Sequence, residues 1–336
     1  MHLIPPKGRR VPRIVRKKVE SCYHVVSRIN WRAFVLGETE KEAFRDLLRR
    51  VAGFCGVDVL TFAILDNHFH LLVRVPGTVG ELSDGELLER AALIYGSERK
   101  HQPLSLFRIG LALQAGGEVR TRMRSLLMER MASLPMFVKL LKQRFSILFN
   151  RAHDRVGTLW EDRFHSVLVE DSAAALRAVG AYIDLNAVRA GIVGDPKDYR
   201  WSGYGEAAGS RLGLKGYRLF AHLAGKHAES LEQVAAAYRR YLYVAGSAPG
   251  KGAVFGKEEI EAVLQAGGEL SRAQLLRCRL RYMTRGAVIG TKAFVSRWMG
   301  RGAAKQTATN DPVQAASAEG EDLLGDGLCA GRPRID

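Results

Sequence analysis

The chain has 336 residues, 47% of them hydrophobic and 26% charged, proportions of a globular protein with room for two domains or one enlarged domain. Fifty-one Lys and Arg against 35 Asp and Glu give a net charge of +16, and a field of that sign attracts a polyanion and gains affinity from released counterions, so nucleic acid is the expected partner. No apolar run approaches the roughly 18 residues of a membrane span, no apolar segment of a secretory signal follows the first residues, and Cys22, Cys55, Cys278 and Cys329 lie too far apart for a disulfide framework or a structural zinc site. These features argue against membrane and disulfide-stapled secreted classes and predict a protein of the reducing cytoplasm, associated with the nucleoid.

Residues 1–20 read as a basic arm. Lys7, Arg9, Arg10, Arg13, Arg16, Lys17 and Lys18 occur with no acid among them, the pattern either of a flexible phosphate-binding arm or of a solvated tail. Residues 22–29 are rich in β-branched and aromatic types and predict a strand. Thr39 to Glu42 has capping-box spacing, and Phe44, Leu47, Leu48, Val51 and Phe54 follow at helical period, which predicts a helix over 40–55 ended by Gly56. Two β segments, 57–65 and 68–75, flank the turn-forming pair Asp66-Asn67.

From 78 to 134 the chain turns helical and basic, as an insertion would. Pro135 suits a first helical residue, and Phe137, Leu140, Leu141, Phe145 and Leu148 extend an amphipathic helix to about 151. A strand over 166–169 follows, and then a helix capped by Asp171 or Ser172 that runs to about Arg189 and stops at Gly191.

Without the insertion the order is β-α-β-β-α-β-α, an α+β class containing the split ferredoxin-like arrangement, an antiparallel sheet with helices on one face. The domain so defined spans 21–205. Residues 206–300 read as helical and basic. Two helical runs around Thr284-Arg285-Gly286, within 271–299, suit either a helix-turn-helix DNA contact or a plain helical hairpin. Residues 301–336 have the composition of a disordered tail.

Alternation along 68–75 puts His68 and His70 on one face of a strand, where two imidazoles can converge on one ion. In the helix after Ser172, Leu176, Val179, Ile183 and Ala187 form the inward stripe. Tyr182 and Asn186 stand one turn apart on an adjoining face and can reach one ion or phosphate. A lone strand histidine or a half-buried helix tyrosine is ordinary structure; it is the combination that suggests chemistry.

Three ordered motifs carry a resemblance: Asn67-His68-Phe69-His70-Leu71-Leu72-Val73, Gly157 to Phe164 (GTLWEDRF), and Tyr182 to Gly191 (YIDLNAVRAG). Together, over roughly 21–77 and 135–205, they resemble the REP-associated tyrosine transposases of the single-tyrosine HUH superfamily. The resemblance implies the HUH endonuclease fold, His68 and His70 as metal ligands for Mg²⁺ or Mn²⁺, Asn186 as a polar helper at the metal, and Tyr182 as nucleophile. It implies cleavage of single-stranded DNA through a 5′-phosphotyrosine bond that a second strand end can reverse, a hairpin substrate, and in many relatives a homodimer. The chain departs from the family in having Ala187 where Pro is common and in the length of the 78–134 insertion.

For DNA contact the sequence offers the arm residues Arg9, Arg10, Arg13, Arg16, Lys17 and Lys18, the helix basics Lys139, Lys142, Arg144 and Arg151, and Trp160 or Phe164 to stack an unpaired base. The opposing reading makes Trp160 core and the helix basics solvated. Two other functions compete: a nucleic-acid-binding module that has lost cleavage, and a two-histidine phosphodiesterase, which needs a second H-x-[ST] motif that the sequence lacks.

Overall fold

The computed structural model describes residues 13–96, 104–210, 213, 217–225, 230–246, 287–299 and 328–331. Strand β1 (Ser21–Arg28) leads through a short loop to α1 (Glu38–Cys55), then β2 (Asp58–Leu65) and β3 (His68–Val75). The insertion supplies α2 (Asp84–Ala92), α3 (Leu106–Gln114) and α4 (Gly117–Met128), and the chain resumes with α5 (Leu134–Ala152), β4 (His165–Val169), α6 (Ala173–Asp184) and α7 (Asn186–Arg189). Beyond them lie α8 (Gly203–Gly209), α9 (Arg218–Ala224), α10 (Leu231–Gly246), β5 (Val288–Thr291), α11 (Lys292–Met299) and β6 (Leu328–Gly331).

The strand order is β2-β3-β1-β4-β5-β6. Neighbours among the first four strands are antiparallel, with β1 pairing β3 on one side and β4 on the other, which is the ferredoxin-like order expected. Two expectations fail at the far edge. Residues 288–291, read as helix, run parallel to β4, and residues 328–331, read as disordered tail, pair with β5. Val288 and Ile289 are β-branched and wholly buried, so the sheet edge prevails over the helical composition around them. The rest of the suggested helix-turn-helix, 271–286, lies outside the described residues, as does most of the tail.

The helices cover both faces of the sheet, not one. Phe69, Leu71, Val73 and Val75 of β3 join α1, α5 and the insertion in one core, with Phe44, Phe54, Phe137 and Phe145 fully buried. Leu72 of β3 joins α6, α8, α9 and α10 in the other, with Tyr204, Phe220 and Tyr238. The period-two alternation of β3 thus supplies both cores from one strand. The insertion is packed, not pendant: Leu87, Ile109 and Leu127 are sealed into the first core, and Asp84 pairs with Arg120 and Arg124.

Helix starts and stops follow local chemistry. Gly37, not Thr39, is the N-cap of α1, which places the capping-box residues inside the first turn, and Gly56 in the left-handed region closes it. Pro135 is the second residue of α5, behind a Ser133 hydroxyl that accepts from Met136 N. Of the two candidates, Ser172 caps α6 through Ala175 N. The predicted single helix to Arg189 is broken at Leu185 into α6 and α7.

The segment after α7 locks onto β2. Ile64 N donates to Trp201 O at 2.9 Å, and Tyr199 hydroxyl donates to Ile64 O at 2.6 Å. A Cβ at Gly205 would fall 2.1 Å from Tyr199 O, backbone that those bonds hold in place. Gly205→Ala is therefore expected to lower stability by about 2 kcal/mol or more, read from urea unfolding; a loss below about 0.5 kcal/mol would mean that α8 slides freely and the lock is slack.

Candidate active site

The site is built on the centre of the sheet, where β1 and β3 run side by side and α6 crosses above. Register pairs Val26 with His70 and Arg28 with His68, so His24, Arg28, His68 and His70 share the face that α6 covers. The rings of His68 and His70 lie 5.0 Å apart, and those of His70 and His24 stack at 5.2 Å with His70 Nδ1 3.0 Å from His24 Nε2. Tyr182 reaches this cluster from α6: its ring is 5.7 Å from both His70 and His24, edge to face. The predicted triad of His68, His70 and Tyr182 is thus brought into one place.

Each histidine has one nitrogen already engaged. His68 Nδ1 faces Asn67 Oδ1 at 2.6 Å, and His70 Nδ1 faces His24. Such partners fix ring orientation and leave Nε2 as the atom that could ligate, the arrangement in which imidazoles hold metals. Burial pushes His68 down to about 4 and His70 well below its ordinary range, the neighbouring Arg28 acting in the same direction. Both rings are therefore neutral at neutral pH, with lone pairs available.

His24 went unnoticed in the sequence analysis. Its signal was present, since it lies in a predicted strand at the same parity as the later contact, but only the pairing of β1 with β3 shows that it supports His70. Arg189 was missed as well. Its guanidinium lies 5.2 Å over the Tyr182 ring and donates to Tyr182 O at 3.3 Å.

Tyr182 is only 6% exposed, and burial raises its phenol above 10, while Arg189 and Arg28 pull the other way. The resting residue is a neutral phenol. Asn186 sits one turn on, but its Nδ2 donates to Tyr182 O at 2.8 Å and Ile183 O at 3.3 Å. That amide closes the end of α6 where the helix breaks, which leaves Oδ1 as the atom a cation or phosphate could use.

The donor set fits a divalent ion that keeps open positions. Among the described residues, the group of three Cys, His or acidic ligand atoms lying within 4.8 Å of one another is elsewhere, at Cys22, Asp171 and His222. There Asp171 Oδ1 already accepts from Cys22 at 3.6 Å and meets His222 at 2.8 Å. At the histidine pair, oxygen atoms of a substrate and of water would complete the shell, which suits Mg²⁺ or Mn²⁺ better than a closed structural zinc.

The proposed DNA contacts divide. Arg9 and Arg10 lie outside the described residues. Arg13 is packed 4.3 Å over Phe164 and Arg16 5.0 Å over Trp298, with Arg16 N donating to Tyr23 hydroxyl, so the arm is docked from residue 13 and not free there; Lys17 and Lys18 are exposed. On α5, Lys139 and Arg151 are exposed. Lys142 is bound to Asp162 O at 2.7 Å and pushed by burial to about 8, while Arg144 stacks on Tyr95 at 4.9 Å. Trp160 packs edge-on to Phe44 and Phe69, and its Nε1 donates to Lys142 O. It is partly buried against the core, with Lys142 Nζ 5.4 Å from its ring centroid, and Phe164 is 8% exposed.

Residues 17–81 match the sequence model of the family described as "Transposase IS200 like". No curated protein matches. Among solved structures, a REP-associated tyrosine transposase bound to a REP hairpin is 14% identical, covering 60% of this chain and 85% of its own at a TM-score of 0.38. A putative transposase from Deinococcus radiodurans is 12% identical, covering 49% and 85% at a TM-score of 0.23. Among the described residues no helix is long and apolar enough to cross a membrane.

Proposed function

We propose that this chain, whose residues 17–81 match the IS200-like transposase model, cuts and rejoins single-stranded DNA with Tyr182 as nucleophile and His68 and His70 as holders of a divalent metal. The observation that carries the proposal is the convergence of two neutral imidazoles, half-buried His68 and buried His70 with rings 5.0 Å apart, and a helix-borne phenol whose ring lies 5.7 Å from that of His70. A binding module would bury apolar side chains there at no cost in desolvated polar groups.

A phosphodiester resists attack because its charge repels nucleophiles. When bound, the metal would withdraw charge from the phosphate and favour the phenolate. The chain's own residues do the rest. His68 and His70 offer Nε2 from a rigid strand, and Asn67 and His24 hold the two rings in orientation. Arg28 and Arg189 bias Tyr182 toward its anion. Attack by the Tyr182 oxygen on phosphorus forms a phosphotyrosine bond as the bond to the leaving 3′-oxygen breaks, and that oxygen departs as a 3′-hydroxyl after gaining a proton. The reverse attack by a 3′-hydroxyl restores the strand, so no nucleotide cofactor is needed.

The test is incubation of the full chain with labelled single-stranded hairpin DNA and Mn²⁺, followed by denaturing electrophoresis. A labelled covalent adduct is expected. EDTA should abolish it and Mn²⁺ or Mg²⁺ restore it, and His70→Ala should lose it while still binding DNA. An adduct unchanged in excess chelator would refute the metal role.

A further inference from the structure

Trp160 is partly buried against the core, whereas the loop that bridges to it carries aromatics that stand in solvent. Residues 29–36 leave β1 just beyond Arg28, and Ile29 forms an isolated bridge to Trp160. The loop is tied at both ends to the turn that introduces His68. Ile29 N donates to Asn67 O at 2.8 Å, Val35 N and Leu36 N donate to Asp66 O at 3.1 and 2.9 Å, and Asn67 Nδ2 donates to Arg32 O at 3.2 Å. Asn67 is also the residue whose Oδ1 orients His68. The loop and the histidine pair are thus parts of one hydrogen-bonded unit.

Ile29 and Leu36 anchor the loop in the core, at 2% exposure each, yet Trp31 is 89% exposed and Phe34 78%. Folding gains nothing from leaving these two rings in water. The backbone is also held in a conformation that side chains avoid: Trp31 and Arg32 have φ of 58° and 55°, the left-handed region. Strain that presents an indole to solvent, beside exposed Arg28 and Arg32, matches the two chemistries of a single strand. Its bases have flat π faces left unpaired, and its phosphates are anionic.

We propose that Trp31 and Phe34 form a stacking platform for unpaired bases of the strand that enters the His68, His70 and Tyr182 site, with Arg28 and Arg32 on the neighbouring phosphates. A nucleic acid is favoured over a protein ligand because the aromatic pair is bracketed by arginines on a chain of +16. The direction of the strand toward the site rests on the proposed function; the binding itself does not.

The platform is tested with the full chain and fluorescein-labelled dT oligomers by anisotropy, in EDTA so that no cleavage intervenes. Trp31→Ala should weaken binding by about 5- to 100-fold, the range of a lost base stack; Trp31→Phe should recover most of it, and Phe34→Ala should weaken it to a smaller degree. The slope of affinity against salt should be the same in all variants, because stacking releases no counterions. An abasic oligomer of equal length should bind wild type and Trp31→Ala alike. If Trp31→Ala binds dT as wild type does, the platform is wrong and the patch serves a protein partner. If it loses affinity equally for the abasic strand, the effect is not stacking and the platform is again wrong. Adduct formation by wild type on hairpin DNA with Mn²⁺, measured separately, decides the nuclease reading whichever way the anisotropy falls.

Discussion

Tyr182→Phe is expected to erase the denaturant-resistant protein–DNA adduct and to leave DNA binding unchanged. The substitution keeps the ring that packs edge-on to His24 and His70 and beneath Arg189, and it removes the one oxygen of that side chain that can bond to phosphorus. No large cavity results, so the stability change should stay within about 1.5 kcal/mol, the range of a single hydrogen bond. Tyr182→Ala would mix chemistry with the loss of a buried ring, at about 3–5 kcal/mol, and is the poorer variant. Labelled hairpin DNA on a denaturing gel reads the adduct, and anisotropy reads the binding. Adduct formation by Tyr182→Phe at the wild-type level would sink the assignment. Tyr23, Tyr199 and Tyr204 would then need examination, although all three lie at 1% exposure or less and each has its hydroxyl in a hydrogen bond.

The expected rate of the wild-type step depends on a phenol that the resting protein keeps protonated. Burial raises Tyr182, and only Arg189 and Arg28 oppose it. In the proposed reaction Tyr182 would therefore be a poor nucleophile until a cation is held at His68 and His70. That restraint suits a protein that would otherwise carry a reactive phenolate in the absence of DNA.

The strands around the site were legible because their signal is local. Period-two alternation in 68–75 and the Asp66-Asn67 turn set β3 and its two faces, and the capping serine set the start of α6. The support of the site was not legible, because it comes from pairing between distant segments. His24 meets His70 only through the register of β1 on β3, and Arg189 meets Tyr182 only because the helix breaks at Leu185. Trp160 and Trp31 show the same limit in reverse. Both are tryptophans beside basic residues, and only packing separates the partly buried ring from the exposed one. The edge strands β5 and β6 escaped for a third reason: four residues each, they carry too little pattern to outweigh their surroundings.

The second large effect lies two residues beyond the proposed nucleophile. Asp184 is wholly buried, and its carboxylate accepts from Thr61 at 2.8 Å and from the hydroxyls of Tyr217 and Tyr238 at 2.6 Å each. Burial nonetheless outweighs these three donors and raises its pKa from 3.8 to about 6. A carboxyl that binds its proton more tightly when folded contributes stability at low pH and loses it as pH rises between about 4 and 6, by about 3 kcal/mol in all. His68 works in the opposite sense. With its folded pKa pushed from 6.5 down to about 4, it adds stability as pH rises through that window, and so masks Asp184 in the wild-type curve. Asp184→Asn removes the Asp184 titration and leaves the opposing ones of His68 and of His70, which burial likewise pushes down. Its amide oxygen can keep both tyrosine hydroxyls while Thr61 turns to accept from the amide nitrogen. Relative to wild type it should therefore gain about 3 kcal/mol between pH 4 and pH 7, measured by urea unfolding at each pH. Parallel curves would show that Asp184 does not titrate there. Asp184→Ala instead strands three buried hydroxyls and should lose about 3 kcal/mol or more at every pH. Since those hydroxyls come from β2, from the residue before α9 and from α10, the cluster fixes the end of α6 from three sides, and with it the position from which Tyr182 reaches the histidines.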